Sequence, residues 1–361
     1  IDIIAGARPN FMKIAPIIEA IENKNKKTKV IAYRLVHTGQ HYDKKMSSDF
    51  FDQLGIPEPH ENLGVGSGTQ AEQAGKIMAG YENLLLKSPC DLTLVVGDVT
   101  STMACSIVAK KMNIKVAHVE AGIRSGDWTM PEEVNRVVTD AITDYFFTTS
   151  EFANENLRKA GVGEERIIFA GNTMIDTLRK NESRFIKPKI WNEIKLKEKN
   201  YLVMTLHRPA NVDRKEQLSA LLNAIIANTH GLPVIFPVHP RTQKNIADFG
   251  INTGNIYLTE SMGYLEFNYL VKHSKGVITD SGGITEETTV MGVPCMTLRD
   301  NTERPETCTI GTNELIGTNP QNLIPSLNRL FEGKWKKGGI PLLWDGKAAV
   351  RIVAFLHSFF F

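Results

Sequence analysis

Cysteine is scarce in this sequence, four among 361 residues, at positions 90, 105, 295 and 308. None forms a C-x-x-C pair, which excludes a disulfide framework, a zinc ribbon and a thioredoxin-type redox motif. Buried free thiols in a reducing, cytoplasmic setting are expected instead. Apart from His37 and His41, the nine histidines lack the i, i+3 or i, i+4 spacing of a zinc site, so no metal is expected. No apolar run reaches the roughly 20 residues of a membrane span. The nearest, Ala348 to Phe361, is interrupted by Arg351 and His357. No secretory leader pattern is read at the start. An excess of one charge is missing too: 42 Lys+Arg stand against 40 Asp+Glu. That balance argues against nucleic acid as a partner, because a general binder carries a concentrated basic field. There is no G-x-x-x-x-G-K-[ST], which excludes that type of nucleoside triphosphatase. Gly64-Val65-Gly66-Ser67-Gly68 does not match G-x-G-x-x-G, so bound NAD is not expected and the stretch reads as a loop. No cofactor is called for.

What is present is an ordinary globular composition, 42% apolar and 23% charged, of a length that suggests two domains. Short Val/Ile/Phe-rich segments, apolar on both faces, alternate with amphipathic stretches. Ile1–Gly6, Tyr33–Gly39, Leu92–Asp98, Lys115–Gly122, Tyr145–Ser150 and Arg166–Gly171 read as strands of a parallel sheet covered on both sides. Pro16–Asn23, Thr100–Lys111 and Pro131–Asp144 read as helices. Residues 179–200 are polar and Lys-rich, and the pattern then restarts with strands at Tyr201–His207, Leu232–His239, Ile256–Glu260, Gly276–Asp280 and Pro294–Leu298. Two α/β domains follow, 1–172 and 173–345. The basic run Asn23–Lys29 reads as a solvated loop.

In open parallel sheets, ligands bind beyond the carboxyl ends of the strands. Those ends carry Arg8, Asp98, Glu120, His207 and Asp280-Ser281-Gly282-Gly283. The last run ends a strand and opens a helix. It fits either a phosphate cradle of free N–H groups or a plain helix cap. Arg8, Lys13, His207 and Arg304 are candidate cations for a diphosphate, although each alone also fits a surface ion pair. Glu287 suits the hydroxyls of a ribose. Asp98 and Glu120 each follow an apolar strand, where a carboxylate is costly without a partner or a task. Glu132 joins them, although helix N-terminal charge matching explains it equally well.

Taken together and in order, Gly6-Ala7-Arg8-Pro9 with Lys13, Thr38-Gly39-Gln40-His41, Gly97-Asp98, His118-Val119-Glu120-Ala121-Gly122, Pro131-Glu132-Glu133 with Asn135-Arg136, Gly171-Asn172-Thr173, His207-Arg208, Pro237-Val238-His239, Thr279-Asp280-Ser281-Gly282-Gly283 with Glu286-Glu287, and Arg299-Asp300 with Thr302 to Glu306 resemble the non-hydrolysing UDP-N-acetylglucosamine 2-epimerases. The resemblance implies two Rossmann-like domains with parallel sheets facing a cleft, the glycosyltransferase-B type fold. It implies a C-terminal helix, 346–361, that completes the first domain, and a homodimer. It assigns Asp98, Glu120, Glu132 and His207 to catalysis. It assigns Arg8, Lys13, Arg136, Phe267 (at the uracil), Ser281, Gly282, Gly283, Glu287 and Arg304 to UDP-GlcNAc or UDP-ManNAc, with UDP and 2-acetamidoglucal as intermediates. It also implies a regulatory site at Gln40, His41 and Arg208. The run His207 to Asp213 departs there from the acidic residue that many bacterial members carry two positions after the arginine. An epimerase for a 2,3-diacetamido uronic acid, a hydrolysing epimerase, a UDP-sugar glycosyltransferase and a UDP-sugar sensor are the alternatives.

Overall fold

The computed structural model describes residues 1–27, 30–39 and 53–361. The chain divides into two compact units, one of residues 1–180 with 342–361, the other of residues 181–341. Each is built on a parallel sheet.

The first sheet holds β1 (Asp2–Ala5), β2 (Arg34–His37), β3 (Glu61–Asn62), β4 (Leu92–Val96), β5 (Lys115–Val119), β6 (Tyr145–Thr148) and β7 (Ile167–Phe169), in the order β3-β2-β1-β4-β5-β6-β7. The second holds β8 (Leu202–Thr205), β9 (Val234–Pro237), β10 (Ile256–Thr259), β11 (Gly276–Thr279), β12 (Cys295–Thr297) and β13 (Asn313–Leu315), in the order β10-β9-β8-β11-β12-β13. All pairings are parallel. In each sheet the strand order reverses once, at β1/β4 and at β8/β11. These reversals are the switch points where a doubly wound sheet opens a crevice.

The strands are buried on both faces because their apolar runs serve two layers. In the second sheet Leu202, Met204, Phe236, Ile278 and Met296 join one core, while Val203, Ile235, Val277 and Cys295 join another. The two short strands β3 and β13 are edge strands that the sequence reading missed. Glu61 and Asn62 are both exposed and carry no apolar alternation.

Two local expectations need correction. The first helix runs Arg8–Asn25, not Pro16–Asn23, with Pro16 inside it. Proline there removes the hydrogen bond to the carbonyl four residues back. That carbonyl, Met12 O, accepts instead from the Thr177 hydroxyl at 2.5 Å. The join 179–200 is also less featureless than its composition suggests. It contains a helix, Lys189–Glu193, in which Trp191 packs edge-on against Tyr201 and Tyr269.

The contact boundary falls after Lys180 because the helix Thr173–Asn181 is tied into the first unit. Asp176 accepts from the backbone N–H groups of Ala348 and Ala349, 3.0 and 2.7 Å away. These open the apolar helix Ala348–Phe360, which lies against the helix Arg8–Asn25. Trp344 is fully buried just before it, its indole N–H donating to Thr149 O at 2.8 Å.

Candidate active site

At the β1/β4 switch point the chain leaves β1 as Gly6-Ala7 and turns into a helix with no side-chain cap. Asn10 closes that gap. Its Oδ1 accepts from Gly6 N (3.1 Å) and Ala7 N (2.9 Å), and its Nδ2 donates to Val96 O (3.0 Å) at the end of β4. One turn on, Lys13 forms an ion pair with Glu120, whose side chain is 1% exposed. Glu120 has φ +68°, the left-handed region that costs a non-glycine residue of order 1–3 kcal/mol. It follows β5, and its N–H donates to Phe147 O. A cation partner answers the cost of burying this carboxylate. The lysine expected at the phosphates and the glutamate expected in catalysis therefore meet directly.

Asp98, one residue beyond the Gly97 turn, remains partly exposed. Its Oδ2 accepts from Arg136 Nε (3.1 Å) and Nη2 (2.6 Å), and its backbone carbonyl accepts from Asn135 Nδ2 (2.8 Å). Arg136 is buried and reaches Glu133 with its other nitrogen at 2.7 Å. Glu133 in turn accepts from Ser125 N, Ser125 Oγ and Gly126 N. Burial pushes its carboxyl up, but the Ser125 N–H, Arg136 and the Gly126 N–H outweigh that and hold it below the usual range. Glu133 thus pins the loop before the helix Pro131–Ile142. Its neighbour Glu132 is exposed in the first turn of that helix. The structure therefore brings Glu120 and Lys13 together and Asp98 and Arg136 together, while Glu132 faces solvent. Arg8 opens the first helix, and Gln40 and His41 lie outside the described residues.

A buried pair that sequence reasoning passed over underlies this edge. His118 Nδ1 is 2.7 Å from Asp140 Oδ1, and His118 Nε2 is 2.9 Å from Gly97 O. Asp140 also accepts from Gly122 N (3.0 Å) and Arg124 Nη1 (2.6 Å). Burial pushes the Asp140 carboxyl up, but His118 and Arg124 prevail and hold it low. Each ring nitrogen of His118 thus has a buried partner, a carboxylate on one side and a backbone carbonyl on the other. The only sequence signal was a histidine on an otherwise apolar strand.

At the β8/β11 switch point Asp280 is fully buried. It accepts from His207 N (3.1 Å), Arg208 N (2.9 Å) and Asn211 Nδ2 (3.1 Å), and lies 2.7 Å from His207 Nδ1. Burial raises its carboxyl, but His207, the Arg208 N–H and Asn211 more than offset this, and it is held low. The His207 ring is about half exposed, and Asp280 at Nδ1 orients its Nε2 outward. The helix Gly282–Met291 starts immediately after, with Ser281 as its cap residue. A Cβ on Gly283 would meet nothing within 4 Å, and one on Gly282 only Glu303 Oε2 at 3.9 Å. Neither glycine has a positive φ. Nothing in the packing of the described residues requires glycine at either position, which leaves an open approach to the first N–H groups of the helix.

Further along the same helix Glu286 pairs with Arg304, and Glu287 accepts from the Tyr264 hydroxyl at 2.8 Å. Burial pushes the Glu287 carboxyl up to about 7, against the Tyr264 hydrogen bond and with help from neighbouring Glu286. Arg299 makes a two-pronged contact with Glu303 (2.8 and 2.7 Å), and Arg208 Nη2 lies 3.9 Å from the same carboxylate. Phe267 is half-buried against the core next to Leu270 and Val271. Among the described residues no cluster of His, Cys, Asp and Glu could hold a metal ion. No helix among them is long and apolar enough to cross a membrane.

The sequence model of a family described as UDP-N-acetylglucosamine 2-epimerase matches residues 23–357. A UDP-N-acetylglucosamine 2-epimerase of Methanocaldococcus jannaschii is 41% identical over 99% of this chain and 98% of its own. A UDP-2,3-diacetamido-2,3-dideoxy-D-glucuronate 2-epimerase of Pseudomonas aeruginosa is 36% identical over 98% of both chains. The crystal structure of M. jannaschii UDP-GlcNAc 2-epimerase in complex with UDP-GlcNAc and UDP is 40% identical and covers 99% of each chain, with a TM-score of 0.87.

Proposed function

Because the chain belongs to the UDP-N-acetylglucosamine 2-epimerase family, an isomerase family with the glycosyltransferase-B type fold, we propose that it interconverts UDP-N-acetylglucosamine and UDP-N-acetylmannosamine by inversion at C2. The C2 hydrogen is not next to a carbonyl, so direct deprotonation is too hard. Elimination solves this. The C1–O bond breaks, its electrons leave with UDP, and a base takes the C2 proton, giving 2-acetamidoglucal. UDP then adds back to C1 as a proton is delivered to the other face of C2. The hydrogen moves as a proton, so the route asks for no nicotinamide.

The second unit holds UDP in this scheme. His207, braced by Asp280, joins Ser281, the open N–H groups of Gly282 and Gly283, and Arg304 in stabilising the departing diphosphate, the term expected to dominate. Glu287 accepts from the ribose and Phe267 lies against the uracil. In the first unit Glu120 exchanges the C2 proton, with Asp98 and Glu132 as the other acid–base groups and Arg8, Lys13 and Arg136 on the sugar and phosphates. The observation that carries the reading is Glu120, a buried carboxylate held in left-handed backbone and charge-matched by Lys13. A homodimer belongs to the same proposal, with sedimentation as its check.

A second reading, inversion of a 2,3-diacetamido uronic acid sugar, is favoured by the Pseudomonas relative. Proton NMR in D2O separates the two. With UDP-GlcNAc alone, the C2 proton signal is expected to vanish as UDP-ManNAc deuterated at C2 appears, and Glu120→Gln is expected to abolish this. No exchange with UDP-GlcNAc, but exchange with the diacetamido uronate, would select the second reading. No exchange with either would overturn both.

A further inference from the structure

The reaction proposed above needs carboxylates on two neighbouring strand ends to keep their spacing while a proton moves. Gly97, between β4 and Asp98, is held at both ends by β5. Its N–H donates to Val119 O at 3.0 Å, and its carbonyl faces His118 Nε2 at 2.9 Å. Its backbone is also the wall behind the reactive pair, because a Cβ built on Gly97 would lie 3.3 Å from both Glu120 Oε2 and Lys13 Nζ. With φ +69°, this peptide has few local restraints of its own. On the far side of Glu120, Asp140 holds the N–H of Gly122. There φ is +78°, and a Cβ would sit 2.4 Å from Ala153 O. Gly97 before Asp98 and Gly122 after Glu120 are thus gripped by the two ends of one buried pair, His118 and Asp140, which are 1% and 5% exposed. Packing alone would be served by an apolar residue at 118. A ring partnered at both nitrogens serves geometry.

We propose that His118, acting with Asp140, is a positioning residue for C2 proton transfer, setting the placement of Asp98 relative to Glu120 through the Gly97 carbonyl. The proposal rests on the epimerase reading. It assigns His118 no contact with substrate, so substitutions should change turnover and leave UDP binding alone, since the groups proposed for the uracil and ribose, Phe267 and Glu287, lie in the second unit with His207 and the Ser281 to Gly283 turn.

Two conservative amides separate the two halves of the bridge. His118→Gln places an amide N–H near the Nε2 position and can keep the Gly97 bond. His118→Asn places one near Nδ1, where it can reach Asp140 but not Gly97. C2 exchange in D2O, kcat, KM and UDP affinity are measured for wild type and both variants. His118→Asn is expected to lose about 10²-fold in kcat, the order that a misplacement near 1 Å produces, with KM and UDP affinity unchanged, and His118→Gln to recover most of it. Equal loss in both variants, or wild-type kcat in His118→Asn, overturns the proposal. If His118→Asn does not fold, Asp140→Asn answers in its place. Reduced kcat at unchanged UDP affinity supports the bridge, and wild-type kcat overturns it. Absence of exchange in wild type removes the epimerase reading and this proposal with it, whereas exchange in wild type with no effect of the variants removes only this one.

Discussion

Glu287 is a carboxylate whose charge is costly to hold. Its carboxyl is raised from the ordinary 4.5 to about 7, first by burial. Below pH 4.5 it is protonated in both the folded and the unfolded chain. Between 4.5 and 7 the folded protein keeps a proton that the unfolded chain has released. The stability this confers is complete below 4.5 and is lost as pH rises through 7. At 1.36 kcal/mol per pH unit the swing is on the order of 3 kcal/mol as an upper figure. Glu287→Gln should therefore be less stable relative to wild type at pH 5 than at pH 8. Melting temperatures across that range check it, and a constant difference would refute the burial argument. Gly283 makes the opposite kind of statement. With φ in the ordinary range and space around its missing Cβ, Gly283→Ala should leave stability unchanged or raise it by up to about 1 kcal/mol, yet weaken UDP binding measured by calorimetry. Loss of stability with intact UDP affinity would mean that the glycine serves the fold.

Among the elements, the first helix depends on a partner distant in sequence. Pro16 leaves Met12 O without its helical donor, and Thr177 supplies one from the helix Thr173–Asn181. Removing the hydroxyl takes away the donor to a part-buried carbonyl, so Thr177→Val should destabilise the first unit by about 1 kcal/mol. In a Pro16→Ala background the helix supplies its own N–H, and the same substitution should cost clearly less. Chemical denaturation of the four proteins in that cycle measures the difference. Additivity would show that Thr177 does not replace the bond lost at proline. The same contact explains why the sequence reading starts this helix at Pro16 rather than at Arg8. Proline inside a helix normally signals an end, and what tolerates it here comes from 165 residues away.

For the molecule as a whole, the first unit is closed by the chain's last twenty residues, 342–361. Trp344 is 1% exposed, and Ile352, Val353 and Leu356 are buried behind it. Trp344→Ala should cost the first unit about 3–5 kcal/mol, the range for a large core aromatic, seen as an earlier unfolding transition in denaturant. A shift below about 1 kcal/mol would mean that the crossing segment contributes little. The apolar run at 348–361, which by composition could pass for a membrane-seeking tail, is half of a helix–helix contact.

The alternation of doubly apolar strands with amphipathic stretches was enough to place two parallel sheets, because covering both faces of a strand leaves its mark within four or five residues. It also put Asp98, Glu120, His207 and Asp280 at strand ends, since a turn residue is read from its immediate neighbours. The edge strands β3 and β13 carried no such mark. Tertiary structure alone decided that Lys13 meets Glu120, that Glu133 is pinned while Glu132 faces solvent, and that His118 bridges Gly97 and Asp140. These depend on which residues, from 7 to more than 100 positions apart in the chain, are brought within hydrogen-bonding reach. Local sequence sets backbone and burial preference. The charge and task of a buried side chain are set by neighbours that only folding supplies.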